Sequence, residues 1–279
     1  MGDAGSKVQG EANGVFSALR PVIGCAPATS SGDNPINTPY VLPPLPYDYT
    51  GLQPWIDEPS LRLHYDLHRA CIESLNAAEA QLAGERDRTN STWIGHLQHV
   101  IAVRTSEHLM HCLFWEIMAP NQGGAPIDAL AHQIRDNFGS FASFKSLFCA
   151  SATSLEIGDW VTLLWQPTTE RLAIRPVDSH QLPCWWDAGI LLALDVSEHA
   201  YYLQYHHRRA EYVHNWWNTV NWPRVAQRFA MATQPWPRMA GPASTQQPQA
   251  ERRNRDALSV RVDSLSRPPR PTDRAHRQR

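Results

Sequence analysis

Asp195-Val-Ser-Glu-His-Ala-Tyr-Tyr202 is the stretch that decides how this chain is interpreted. It follows residues 190–194, a short apolar run typical of a buried strand. The strand would carry the carboxylate of Asp195 to its end, and His199 follows four residues later. A hard oxygen ligand and an imidazole nitrogen would then emerge together. A single pair of this kind is more typical of a structural hydrogen bond, unless other imidazoles are available.

Two earlier segments supply those imidazoles. His64 and His68 lie in a region whose apolar residues return every three or four positions, which predicts a helix with both histidines on its inward face. His108 and His111 lie in a second region of this type. Both histidines of the first pair could be metal ligands, or one could be a ligand and the other its neighbour. With these imidazoles present, a metal site becomes the better interpretation.

The chain divides into four parts. Residues 1–39 are rich in Gly, Ser, Ala, Asn and Pro without periodicity, which predicts a disordered leader. Residues 40–122 predict an N-terminal domain made of a long helical hairpin, and residues 123–232 a C-terminal α/β domain. The Arg- and Pro-rich residues 233–279 predict a disordered tail. The fold class is therefore α+β, with the hairpin packed on a small antiparallel three-stranded sheet and its helices.

The individual elements follow from periodicity and turn residues. The predicted helices span residues 59–83, 93–115, 127–138, 140–154, 198–205, 209–220 and 221–229, and the predicted strands span residues 160–165, 171–177 and 190–195.

Composition narrows the possible functions. The formal net charge of −2 divides into about +6 for the tail and −8 for the remainder, so the folded part is acidic and does not resemble a nucleic-acid module. Contact of the basic tail with RNA is the weaker alternative to a solvated extension. No apolar run approaches the roughly 20 residues that span a bilayer, so no membrane association is expected. Five cysteines without paired spacing favour a reducing compartment. We expect a cytoplasmic location, with a mitochondrial one as the alternative if the protein is eukaryotic.

Six motifs, in order, resemble the iron/manganese superoxide dismutases. They are Leu42-Pro-Pro-Leu-Pro-Tyr-Asp-Tyr49, His64-x-x-x-His68, His111-Cys-Leu-Phe-Trp115, Asn137-Phe-Gly-Ser-Phe141, the stretch Asp195 to Tyr202, and Trp217-Asn-Thr-Val-Asn-Trp222. The resemblance covers roughly residues 40–230 and implies that family's fold.

The resemblance also implies a site. Its metal ligands would be His64, His111, Asp195 and His199, which would hold one iron or manganese ion per chain. His68 and Tyr202 match catalytic residues near the substrate funnel, with Tyr202 reaching it from a dimer partner. Glu198 matches the glutamate that contacts the partner's ligand histidine, so a homodimer is implied, with a tetramer possible.

The chain also departs from the family pattern. Ile72 stands where the family has its gateway tyrosine, Ser197 replaces a tryptophan, and Thr162 replaces an aromatic residue. The glutamine that bonds the metal's solvent is matched by His180, although Gln181 could serve if the loop shifts by one residue. A histidine there would add its own pH dependence.

The expected function is superoxide dismutation, the metal-dependent conversion of superoxide to dioxygen and hydrogen peroxide. The four intact ligand positions favour it. The alternative is a protein of the same fold with little or no catalysis and a structural role, for example on a ribosome, which the changes at Ile72 and Ser197 motivate.

Overall fold

The N-terminal part is a pair of long helices. The computed structural model describes residues 38–85, 91–155, 160–177 and 188–234. Helix α1 spans Glu58–Gly84 and helix α2 spans Ser91–Glu116. The Asp57 side chain caps α1 by accepting a hydrogen bond from the Ser60 amide at 3.0 Å. The two helices pack against each other, so the predicted hairpin is confirmed.

A proline-rich ribbon runs along this hairpin, as its composition predicted. The Tyr40 amide and carbonyl both bond the Asn76 side chain of α1, at 2.8 and 2.9 Å. Farther along, the Tyr65 hydroxyl donates to the Pro43 carbonyl at 2.8 Å. These side-chain bonds satisfy backbone groups that the prolines leave without strand partners.

The C-terminal part begins with two short helices and a three-stranded sheet. Helix α3 spans Asp128–Phe138 and α4 spans Phe141–Ser154; strands β1, β2 and β3 span Trp160–Gln166, Arg171–Val177 and Gly189–Asp195. The Ser140 hydroxyl caps α4 by accepting from the Ser143 amide at 3.0 Å, as predicted. The strand order is β2-β1-β3 with both pairings antiparallel, so the predicted sheet is confirmed.

Three helices follow the sheet: α5 spans Glu198–Tyr205, α6 spans Arg209–Trp216 and α7 spans Trp222–Ala232. The prediction that α6 continues to residue 220 is wrong. The α-helix ends at Trp216 in a tighter turn, in which the Thr219 amide donates to the Trp216 carbonyl at 2.9 Å. Val220 then forms a bridge with Met118, which requires an extended backbone.

One continuous core joins the two parts. Aromatic side chains of α4 pack on those of the α6–α7 region; Phe148 and Trp216, for example, stack with ring centroids 6.0 Å apart. The Asn221 amide donates to the Ile117 carbonyl at 2.8 Å, so the start of α7 is fixed to the end of α2. The α+β architecture is therefore confirmed, and it brings α1, α2 and β3 to one place.

The described residues do not test several of the predictions. Almost all of the predicted leader and tail, together with His180 and Gln181, lie outside the described residues. The domain boundaries at residues 39, 122 and 232 stay predictions. None of the helices in the described ranges has the length and apolar character that a membrane crossing requires.

Candidate metal centre

Four elements bring one side chain each to a buried point. His64 comes from the second turn of α1, His111 from α2, Asp195 from the last position of β3, and His199 from the first turn of α5. Each offers one ligand atom, and these four atoms all lie within 4.8 Å of one another. The structure thus brings together all four residues that the sequence proposed as ligands.

Asp195 lies at the centre of this cluster. Its Oδ2 is 3.0 Å from His64 Nε2, 3.2 Å from His199 Nε2 and 3.9 Å from His111 Nε2. Its Oδ1 accepts a hydrogen bond from the Ser197 amide at 2.8 Å, and the Tyr212 hydroxyl donates to its backbone carbonyl at 2.9 Å. The carboxylate is therefore oriented by its own chain and presents Oδ2 to the three imidazoles.

His64 and His111 present ring nitrogens without a hydrogen-bond partner to the same point. His111 Nδ1 lies 2.7 Å from the Glu107 carbonyl, which can only accept, so Nδ1 carries the proton and Nε2 has a free lone pair. The Nε2 atoms of His64 and His111 are buried without a hydrogen-bond partner, since the short contact of His64 with Asp195 lacks hydrogen-bonding geometry. Buried nitrogens are rarely left this way, so these two fit a metal ion.

The electrostatics of the site agree. Burial lowers the pKa of His111 to about 3 and also lowers the pKa of His64. Burial alone would raise the pKa of Asp195, but the neighbouring His199 and His64 outweigh it and hold that pKa well below its usual range. His64 and His111 therefore stay neutral and Asp195 ionised near pH 7, which is the protonation state that metal ligation requires.

The four donor atoms are of the types that transition metals bind. Three imidazole nitrogens and one carboxylate oxygen suit first-row transition metals, and four protein ligands leave room for solvent or a small substrate. Aromatic rings form the surrounding wall: Trp115 lies 4.9 Å from His64 and Trp160 lies 5.2 Å from His111, between ring centroids. The residues present fit an iron or manganese ion.

His68 does not join the four, but it touches one of them. Its ring stacks on His111 with centroids 4.9 Å apart and planes 14° apart. It is fully buried, although the resemblance placed it near a substrate funnel. Trp115 donates its indole N–H to His68 Nδ1 at 3.1 Å, and His108 lies 2.8 Å from Nε2. Neither partner was predicted from the sequence, where the three-residue spacing of His108 and His111 was the available signal.

The remaining predicted residues lie at the surface of α5. Glu198 is exposed, and Tyr202 is 52% exposed with its ring 5.9 Å from that of His206. The structure places both on the same short helix as His199. Their proposed roles, like those of His68 and His180, stay predictions.

The three departures from the family pattern have different surroundings. Ile72 is buried on α1, one turn beyond His68. The Thr162 side chain is also buried, and its hydroxyl donates to the Arg175 carbonyl at 3.0 Å, so β1 and β2 satisfy this polar group. Ser197 is partly buried immediately before α5.

Comparison with known proteins agrees with this geometry. The family model for the alpha-hairpin domain of iron/manganese superoxide dismutases matches residues 39–119, and the model for their C-terminal domain matches residues 126–228. The two matches together include all four candidate ligands.

Individual relatives are similar over the same region. A protein of Bacillus subtilis strain 168 named "Probable superoxide dismutase [Fe]" is 40% identical over 194 residues, 69% of each chain. A "Superoxide dismutase [Mn/Fe]" of Propionibacterium freudenreichii subsp. shermanii is 40% identical over 197 residues, 69% of this chain and 98% of that one. A "Superoxide dismutase [Mn]" of Haloarcula marismortui is 36% identical over 193 residues, which are 67% of this chain and 92% of that one. The chain therefore belongs to the iron/manganese superoxide dismutase family.

Proposed function

We propose that this protein is a superoxide dismutase, which converts two superoxide ions and two protons to dioxygen and hydrogen peroxide. One iron or manganese ion per chain would be held by His64, His111, Asp195 and His199. The observation that carries the proposal is the convergence of four ligand atoms within 4.8 Å, two of them buried nitrogens without a hydrogen-bond partner. The relatives named above carry iron, manganese or both in their names, so the proposal includes both metals.

The protein's residues would bind the ion, set the net charge of the site and exclude water from it. When bound, the ion would supply one-electron chemistry through its divalent and trivalent states. Asp195 contributes the single negative charge among the four ligands, so a trivalent ion keeps a net positive charge that attracts an anionic substrate. The rings of Trp115 and Trp160 limit water around the imidazoles.

The test combines elemental analysis with an assay of superoxide dismutation on the same full-length sample. We expect about one iron or manganese ion per chain and turnover proportional to metal content. His64→Ala should lose both the metal and the activity, whereas His96→Ala, at an exposed histidine of α2, should keep both. Full metal content with negligible turnover would refute the enzyme and favour the structural alternative.

We also propose that the protein works as a homodimer formed around α5. Tyr202 and Leu203 are half exposed on this helix, and the ligand His199 has a side chain that is 36% exposed in a single chain. Leu63 and Leu67 add exposed apolar surface on α1, which packs against α5. A second copy covering this area would bury these groups and shield the ligand from water.

Light scattering on the purified protein tests this assembly. A mass of two chains is expected for the wild type, and Leu203→Asp should shift it towards one chain, whereas Leu147→Asp, at an equally exposed leucine of α4, should not. A wild-type monomer would refute the dimer, and a mass of four chains would show that dimers associate further.

A further inference from the structure

A second group of buried polar side chains lies beside the candidate metal centre. It consists of His68, His108 and Cys112, whose nitrogen and sulfur atoms lie within 4.8 Å of one another. His68 Nε2 and His108 Nδ1 are 2.8 Å apart, and Cys112 Sγ is 3.6 Å from His108 Nδ1. The distances alone fit either a hydrogen-bonded group or a second metal site.

The indole of Trp115 decides between them. An indole N–H can only donate, and it lies 3.1 Å from His68 Nδ1. His68 Nδ1 must therefore be the acceptor, and the proton of the neutral ring must be on Nε2. That proton points at His108 Nδ1, which accepts it. Both ring nitrogens of His68 are thereby occupied, and the directions of its two hydrogen bonds are fixed.

A metal ion in this second group would conflict with the same indole. It would need the lone pair of His68 Nε2, so the ring proton would move to Nδ1 and face the Trp115 N–H at 3.1 Å. Two donors would then oppose each other in a buried place, which is costly. The arrangement is that of a hydrogen-bonded group. It also ends at a tryptophan, which accepts no proton, so it does not lead protons onward.

We propose that His108 is a positioning residue for the metal centre: by accepting the Nε2 proton of His68, it holds the His68 ring flat against the ligand His111. The stack is close, with centroids 4.9 Å apart and planes 14° apart. On its other side His108 meets the edge of the Tyr40 ring at 5.6 Å, so the ribbon holds His108 in turn. The ligand ring is thus fixed by Glu107 along one edge and by His68 across one face.

The surroundings explain why this support matters here. Ile72, one turn beyond His68 on α1, is buried and carries no polar atom that could hold the ring. The Trp115 N–H at His68 Nδ1 leaves no place for a second ring proton, so the ring is neutral. Residues that orient a metal-bound histidine usually change metal affinity or activity by about 10- to 100-fold when removed. Since His108 acts through His68, the low end of that range applies.

Two substitutions separate hydrogen bonding from packing. His108→Leu removes the acceptor and keeps a buried apolar side chain of similar reach. His108→Asn places an amide oxygen near the position of Nδ1, so it can still accept from His68. The first readout is the rate at which a chelator removes iron or manganese, and the second is the electron paramagnetic resonance spectrum of the bound ion. We expect loss about 10-fold faster and an altered spectrum for the leucine variant, with near wild-type behaviour for the asparagine variant.

Three outcomes would overturn the proposal. One is a leucine variant that retains metal as firmly as the wild type, with the same spectrum. Another is an asparagine variant as impaired as the leucine variant. The third is a wild type that holds two metal ions per chain and loses one in Cys112→Ser, which would assign the second group to a metal. If His108→Leu does not fold, His108→Gln replaces it. The glutamine amide would lie near the position of His108 Nε2, beyond that of Nδ1, so it would not accept from His68.

The role at the metal rests on the proposed function, and one measurement keeps the two apart. If the purified protein contains no metal, the proposed function fails, yet nitrogen NMR of the histidine rings can still be recorded. The proposal expects His68 protonated at Nε2 in the wild type and His108→Asn, and a changed His68 signal in His108→Leu. Protonation of His68 at Nδ1 in the wild type would refute the hydrogen-bond assignment itself.

Discussion

Acidification should destabilise the metal-free protein steeply, because buried histidines lie at its centre. Burial lowers the pKa of His111 to about 3 and that of His68 to about 2, from an ordinary value of 6.5. It lowers the pKa of His64 in the same direction. Below pH 6.5 these histidines take up protons in the unfolded chain but not in the folded one. Stability is therefore greatest above pH 6.5 and falls as the pH drops towards 3.

The size of the effect follows from proton linkage. Each histidine that is protonated only when unfolded costs about 1.4 kcal/mol of unfolding free energy per pH unit. His68 and His111 together remove about 5 kcal/mol between pH 6.5 and 4.5, and His64 adds to this loss. Asp195, whose pKa is held well below its usual value, contributes a further loss only below about pH 4. Domains are stable by about 5 to 15 kcal/mol, so metal-free protein near the low end of that range should unfold between about pH 4 and 5.

Urea unfolding of the metal-free protein at pH 7, 6 and 5 measures this slope. The metal-loaded protein is the comparison: because His64 and His111 are unprotonated in both folded forms, bound metal should raise the unfolding free energy at each pH without flattening the slope. His68→Gln removes one titrating ring and should reduce the slope by about 1.4 kcal/mol per pH unit. A metal-free slope below that value would mean that these rings are not buried neutral groups, and the reasoning from burial would fail.

Three further predictions concern side chains that hold the frame around the site. Arg228 is buried, donates to the Ile190 carbonyl from Nε at 3.1 Å and from Nη2 at 2.9 Å, and pairs with Glu116 at 3.0 Å. Arg228→Met breaks this pair and should lower the urea unfolding free energy by about 3 kcal/mol; an unchanged midpoint would contradict this. Tyr212→Phe removes the hydroxyl that bonds the Asp195 carbonyl and should cost about 1 to 2 kcal/mol in the same assay, with partial loss of metal by elemental analysis. Ser140→Ala should cost about 1 kcal/mol through loss of the α4 cap, whereas Ser140→Asp should be nearly neutral; equal effects would exclude capping as the cause.

Most of the fold could be predicted from the periodicity of apolar residues in the sequence. The helical spacing around His64 and the strand-like residues 190–195 place their side chains on known faces, because period alone determines which residues point inward. The α6 helix was overextended because its end depends on a bridge to Met118, about a hundred positions earlier in the chain. Such a contact leaves no local trace.

The site was predictable in part for the same reason. Asp195 and His199 were visible as a strand end followed by a helix start, and the resemblance supplied His64 and His111 as their companions. The hydrogen bond of His68 to His108 was not predictable, because it depends on the relative rotation of α1 and α2. The sequence shows only that both residues are histidines on helices.

The distribution of the four ligands along the chain bears on when the protein can acquire its metal during synthesis. His64 and His111 leave the ribosome within the helical hairpin, but Asp195 and His199 come from β3 and α5, much later. At about 5 to 20 residues per second, several seconds pass in which only two of the site's four ligands have been synthesised. During that interval the nascent chain offers a half-site that zinc or copper could also occupy. Selection of iron or manganese must therefore depend on the completed chain, or on which ions the cell leaves free.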